Sequence, residues 1–131
     1  MNVDPSVEEI ERFVAEDPEA PVVMLNLLRF KEGGAEKYAD YLRAAQPFAE
    51  AAGVQIVYYG LGSTPLVGDS VQGWDAVAIV SYPSRRAFAG MVSQPGYPIA
   101  LREDALAETV LQPTTDAAAV YRSAGPGVES G

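Results

Sequence analysis

The sequence predicts an α+β fold built on one four-stranded antiparallel sheet, and three observations carry the prediction. Segments of two-residue and 3.6-residue apolar period alternate in the order helix, strand, helix, strand, strand, helix, strand. The stretch Pro21 to Lys31 is a nearly unbroken apolar run of strand length with a single amide, Asn26, set inside it. Finally, 131 residues make one domain of ordinary size, long enough to bury one core.

Each element has a local cause. Ser6 and Glu9 stand at capping-box spacing with acids in the first turn, which starts a helix whose apolar stripe is Val7, Ile10, Phe13 and Val14. Pro18 and Pro21 end it and launch the first strand. After the Glu32-Gly33-Gly34 turn, Tyr38, Tyr41, Leu42, Ala45, Ala49 and Ala52 follow helical spacing, with Gly53 placed as the C-terminal stop. Pro47 inside that pattern predicts a kink or break near Gln46.

Val54 to Leu61 reads as the second strand, residues 62–69 as an irregular edge and turn, and Trp74 to Tyr82 as the third strand, closed by Pro83. Ser84 caps a helix through Phe88 and Met91. The run from Gln94 to Pro98 interrupts it before a second helical piece carrying Leu101, Ala105 and Leu106. A last strand near Thr109 to Gln112 stops at Pro113. The division is therefore an acidic helix over 1–20, a sheet-and-helix domain over 21–113, and a tail over 114–131 whose residues 123–131 are expected to be loosely ordered.

From the first strand onward the order is βαββαβ, the split arrangement of ferredoxin-like domains; right-handed crossovers place the strands 4-1-3-2 with both helices on one face. The first strand is apolar on both faces, with Val22, Met24, Asn26, Leu28 and Phe30 on one side and Val23, Leu25 and Leu27 on the other. The helices can shelter only one. A second protomer's sheet is expected on the other face, giving a homodimer, unless the N-terminal helix or the tail closes it. In this topology the end of the first strand lies beside the start of the third, so if Asn26 and Trp74 share a face, Arg29 and Asp75 share the other, as a cross-strand ion pair.

Composition excludes more than it includes. There is no cysteine and no histidine, which removes disulfides, thiolate nucleophiles, imidazole bases and the commonest ligands of zinc and haem iron. The net charge of −9 argues against nucleic-acid or anionic-membrane binding through a broad basic surface. Residues 1–20 hold seven acids and one base, which reads as a solvated helix face. No apolar run approaches the roughly 20 residues of a membrane span, and the N-terminus carries no secretory pattern, so the expected location is cytoplasmic. Gly60-Leu61-Gly62 is followed by Ser-Thr-Pro rather than a helix and is no dinucleotide fingerprint. Neither a cofactor nor a metal is expected.

As a set, the strand MLNLLRFK (24–31), Tyr38 and Tyr41, the pair Trp74-Asp75, the YPSR of 82–85, and Tyr97 with Ala100, Arg102 and Leu106 resemble the domain of unknown function 1330 family. That family is similar to the dimeric α/β-barrel superfamily, in which two ferredoxin-like sheets face each other, and it has no established reaction. In the wider superfamily, cofactor-free monooxygenases, haem-degrading enzymes and lactone isomerases bind ligands between sheet and helices, some through an Asn and a Trp. The resemblance thus implies a small organic ligand, with Asn26 and Trp74 as counterparts by strand and residue type. Asn26 then orients a carbonyl or enolate, or else is a buried amide bonded to backbone. Trp74 stacks on a ligand or serves the core. Arg85 and Arg102 are candidate carboxylate clamps; Tyr58 and Tyr59 point to opposite faces, so at most one lines a given cavity, and Tyr58 is the one expected to bind substrate; Tyr97, beside the Gly96 break, is a candidate gate and general acid. The function these residues support is a cofactor-independent monooxygenase or isomerase; the competing class is a non-enzymatic ligand-binding or structural dimer.

Overall fold

The computed structural model describes residues 3–118. Its sheet has the order β2-β3-β1-β4, every neighbour antiparallel, with β1 Val22–Phe30, β2 Gln55–Leu61, β3 Ala76–Tyr82 and β4 Leu106–Thr114. This is the split ferredoxin-like arrangement, and the expected order 4-1-3-2 is the one found. The helices are α1 Val7–Glu16, α2 Gly34–Ala52, α3 Arg85–Val92 and α4 Ile99–Ala105.

Local rules account for the helix ends. Ser6 accepts from the Glu9 amide while Glu9 reaches back to the Ser6 amide, the full capping box. Ser84 caps α3 through the Ala87 amide. At Gly53, φ is 72°, a conformation that costs a glycine little, and its N–H bonds back to Ala49 and Glu50 carbonyls to close α2. Pro47 does not break α2: the apolar face continues through Phe48, Ala49 and Ala52 onto the core, and that packing outweighs the one backbone hydrogen bond a proline forfeits.

The core lies on one face of the sheet. Val22, Met24, Asn26 and Leu28 alternate with half-buried Val23, Leu25 and Leu27, and the buried set meets Tyr38, Tyr41 and Ala45 of α2, Phe88 and Met91 of α3, and Ala105 of α4. Helix α1 joins the same side: Ile10 and Phe13 pack against that core, with Phe13 edge-on to Phe88. Among the described residues nothing covers the other sheet face, where Val23, Leu25 and Leu27 of β1 and Val77 and Ile79 of β3 are only half-buried; residues 119–131 of the tail lie outside the described residues.

Several strand limits differ from expectation: β2 begins at Gln55, and β4 begins at Leu106, which leaves the helical piece to pair with Phe30. β3 begins at Ala76, although the Asp75 amide already bonds the Leu28 carbonyl at 2.9 Å. β4 runs through Pro113 to Thr114, which an edge strand tolerates because one side of its backbone needs no partner. The expected looseness of residues 123–131 lies outside the described residues. Among the described residues, no helix is long and apolar enough to cross a membrane.

Candidate functional site

Between the sheet and α2 opens a cleft of about 410 Å³, with Ala78, Val80, Ala45, Ala49 and Met91 among its apolar walls. At its inner end sits Asn26, 7% exposed, together with Tyr38, Tyr41, Tyr82 and Tyr97. A second chamber of about 290 Å³ shares Asn26, Tyr41, Tyr82 and Tyr97 with it; Arg102 and, from the arm that precedes α1, Asp4 and Pro5 also line it. The strand period places Asn26 here: with Met24 and Leu28 it must face the helices. Helical spacing supplies Tyr38 and Tyr41 from α2, and the Pro95-Gly96 turn, with Gly96 at φ 88°, delivers Tyr97.

The Asn26 amide is loosely held. Its Nδ2 donates to the Met24 and Ala78 carbonyls at 3.4 and 3.5 Å, the long limit of a hydrogen bond, and its Oδ1 receives none from the described residues. A tightly bonded structural amide would spend both ends on protein. Asn26 instead presents hydrogen-bonding capacity to both chambers.

Beside it, the hydroxyls of Tyr41 and Tyr97 are hydrogen-bonded to each other. Burial is the main cause that raises the pKa of all four phenols: Tyr97 is pushed up to about 12, Tyr38 and Tyr82 rise further, and Tyr41 rises well above its ordinary value. Either hydroxyl can donate to the other, so the pair spends one proton on itself and has one left for another acceptor. At neutral pH the cluster holds its protons. It donates hydrogen bonds and cannot act as a phenolate base.

The other residues singled out in the sequence divide. Arg102 belongs to this site, 5% exposed and projecting from α4 into the second chamber. Arg85 does not: it donates to the Phe13 carbonyl at 2.9 Å, reaches Glu16 at 3.4 Å and stacks over the Phe13 ring, so it ties α1 to α3. Tyr58 is 55% exposed and lines neither chamber; Tyr59 takes the place, stacked on Tyr38. The cause is a bulge at Val57, where the register passes from Ile56↔Val80 to Tyr58↔Ile79. One extra residue inverts the parity, putting Ile56 and Tyr59 on the cleft side and Tyr58 on the other.

Trp74 is not on the Asn26 side either. Its ring lies under the Arg29 guanidinium, 4.5 Å from centroid to carbon, and it lines neither chamber. The expected Arg29–Asp75 ion pair is replaced: Arg29 bonds Glu108 of β4 at 2.7 Å and the Gly73 and Val71 carbonyls at 2.7 and 3.1 Å. Asp75 instead accepts from the Phe30 amide at 2.8 Å. Arg29 stands directly opposite Glu108, while the Asp75 carboxylate is taken up by backbone. No group of three acidic side chains among the described residues is arranged to hold a metal ion. Sequence reasoning missed Tyr82 as part of the cluster and Asp4 as the partner of Arg102; the alternation of β3 from Ala78 and Val80 to Tyr82 was the available signal for the first.

No protein-family model and no curated protein matches the chain. Solved structures do. RPA0582, a protein of unknown function from Rhodopseudomonas palustris, is 35% identical over 86% of this chain and 95% of its own, with a TM-score of 0.75. Its methylated form gives 0.77 over 87% and 93% at the same identity. A dimeric protein of unknown function with a ferredoxin-like fold from Bacteroides fragilis is 11% identical over 72% of this chain and 94% of its own, with a TM-score of 0.52, a likeness of fold alone.

Proposed function

This chain belongs to the family of the Rhodopseudomonas palustris protein RPA0582, and on that footing we propose that it binds a small, flat, largely apolar organic molecule in the cleft beneath α2. The observation that carries this reading is the polar end of an otherwise apolar cleft: a loosely held Asn26 amide beside a Tyr41–Tyr97 hydroxyl pair with one proton uncommitted. The finer assignment to the domain of unknown function 1330 family, resting on the motifs between residues 24 and 106, is part of the same proposal, as are a cytoplasmic location and the unit 21–113 as the ligand-binding domain.

The activity we assign is that of a cofactor-independent monooxygenase or isomerase. A neutral donor aimed at a developing oxyanion stabilises it, so the Tyr97 hydroxyl favours the enolate or phenolate of a bound ketone or phenol over its neutral form, while the unengaged Asn26 Oδ1 accepts from a ligand hydroxyl. Because the phenols hold their protons, the substrate must supply its own acidity, as a phenol or an activated ketone does, and lose that proton to solvent. The anion then reacts with dioxygen directly, or is reprotonated at carbon by Tyr97 to give the isomer.

The working unit is a homodimer. The open sheet face offers Val23, Leu25, Leu27, Val77 and Ile79, an apolar surface that a second copy of the same sheet covers, and a specific interface of this kind buries above about 1,000 Å². The dimeric description of the Bacteroides fragilis protein supports this.

Anthrone, whose enol ionises readily, is the test substrate. Oxygen uptake with anthrone is expected from the wild type and to fall about 100-fold in Tyr97→Phe, the scale of losing one oxyanion donor. Binding without turnover by either protein favours the alternative reading, a ligand-binding dimer that performs no chemistry. Absence of binding removes both.

A further inference from the structure

The second chamber holds a feature that the enolate chemistry leaves unused. Arg102 is 5% exposed, an extreme burial for a guanidinium, and both hydrogen bonds of its Nη1 go to the arm that precedes α1. Nη1 donates to the Val3 carbonyl and, at 2.5 Å, to Asp4 Oδ1. Nη2 is buried without any hydrogen-bond partner. A guanidinium carries a fork of donors that matches both oxygens of a carboxylate, and Asp4 takes only one tine of that fork.

The arm is a separate piece of chain from the elements that build the cleft. Its Val3 side chain is buried against the core, and Asp4 with Pro5 forms the wall that closes the chamber. Glu103, next to Arg102, hydrogen-bonds Asp4, and that contact raises the Glu103 pKa. Two carboxyl groups thus crowd one cation, in a chamber that shares Asn26 and Tyr97 with the main cleft.

We infer that Arg102 is the carboxylate-recognising group of this site, that its ligand is an aromatic monocarboxylate, and that Asp4 occupies the guanidinium as a built-in surrogate which the ligand displaces. The inference rests on the cleft reading above and deepens it by naming the ligand class. A ligand carboxylate gains the fork-on-fork geometry that Asp4 lacks and satisfies Nη2. Its ring lies across the shared wall, where the Tyr97 hydroxyl and Asn26 amide meet a ring oxygen. The arm, displaced, opens the two chambers into one.

Benzoate and its neutral isostere benzamide are the probes, titrated by calorimetry into wild type, Asp4→Asn, Arg102→Lys and Arg102→Gln, each checked for native circular dichroism. Removing the surrogate's charge is expected to tighten benzoate at least tenfold in Asp4→Asn and to leave benzamide unchanged. Arg102→Gln is expected to lose the preference for benzoate, while Arg102→Lys, which keeps the charge without the fork, retains part of it should the Gln variant fail to fold. Saturating the wild type with benzoate is expected to speed amide exchange at Val3 and Asp4 and nowhere else. Equal benzoate affinity in wild type and Asp4→Asn, or unchanged exchange in the arm, overturns the inference while benzamide binding leaves the cleft reading standing. No binding of either probe by any folded variant overturns both.

Discussion

Raising the pH is the perturbation that most directly probes the tyrosine cluster. An unfolded phenol ionises near pH 10, whereas burial holds the folded Tyr97 pKa at about 12, those of Tyr38 and Tyr82 higher and that of Tyr41 well above its ordinary value. Below pH 10 neither state ionises, so these groups leave stability independent of pH. Above it the unfolded chain releases protons that the folded chain keeps; the unfolded state then binds fewer protons, and stability falls as pH rises. One phenol loses about 1.4 kcal/mol per pH unit between its two pKa values, so Tyr97 alone accounts for roughly 3 kcal/mol, and the four together for about 5 kcal/mol per unit. Set against a domain stability of about 5–15 kcal/mol, this predicts cooperative unfolding within one to three units of the unfolded pKa. The assay follows phenolate absorbance and far-ultraviolet circular dichroism in one titration. Four phenols should ionise in a single steep step that coincides with loss of the fold, and Tyr82→Phe should make that step shallower. Four phenols that titrate smoothly near pH 10 in a protein with native circular dichroism would refute the burial and the proton-holding role built on it.

Other variants read other parts of the fold. Gly34→Ala puts a Cβ inside the Ala105 carbonyl oxygen and 2.9 Å from the Phe30 Cβ, so backbone must move, and calorimetry should show a Tm lowered by more than a surface change allows. Leu28→Ala, at a fully buried β1 position, should cost about 2–5 kcal/mol in denaturant unfolding. Arg29→Ala removes the Glu108 pair, two carbonyl bonds and the cover over Trp74; about 2 kcal/mol is expected, with red-shifted emission from the sole tryptophan, whereas Asp75→Asn should keep the emission of the wild type. Leu25→Glu, on the open face, should shift sedimentation from dimer to monomer with the secondary structure intact; a variant that still sediments as a dimer rules out that face as the interface.

The elements of this protein are written where they stand. Ser6 with Glu9, Ser84, and Gly53 act on amides within a few residues, and the alternation from Val22 to Leu28 decides which side chains face the helices before any helix is in place. Asn26, Tyr41 and Tyr97 were reachable from those periods and from the one glycine turn. The rest belongs to pairings across the chain. Arg29 pairs with Glu108, which β4 brings opposite it from 79 residues away, while Asp75 is taken by the Phe30 amide. Tyr59 replaced Tyr58 because β2 takes its bulge against β3. Arg102 meets Asp4 from 98 residues away, through an arm whose position depends on where α1 settles on α3. Periodicity and capping are properties of consecutive residues, so the sequence alone determined them; register, parity after a bulge and the partner of a buried charge are properties of two segments meeting, and only the assembled sheet and helices decided those.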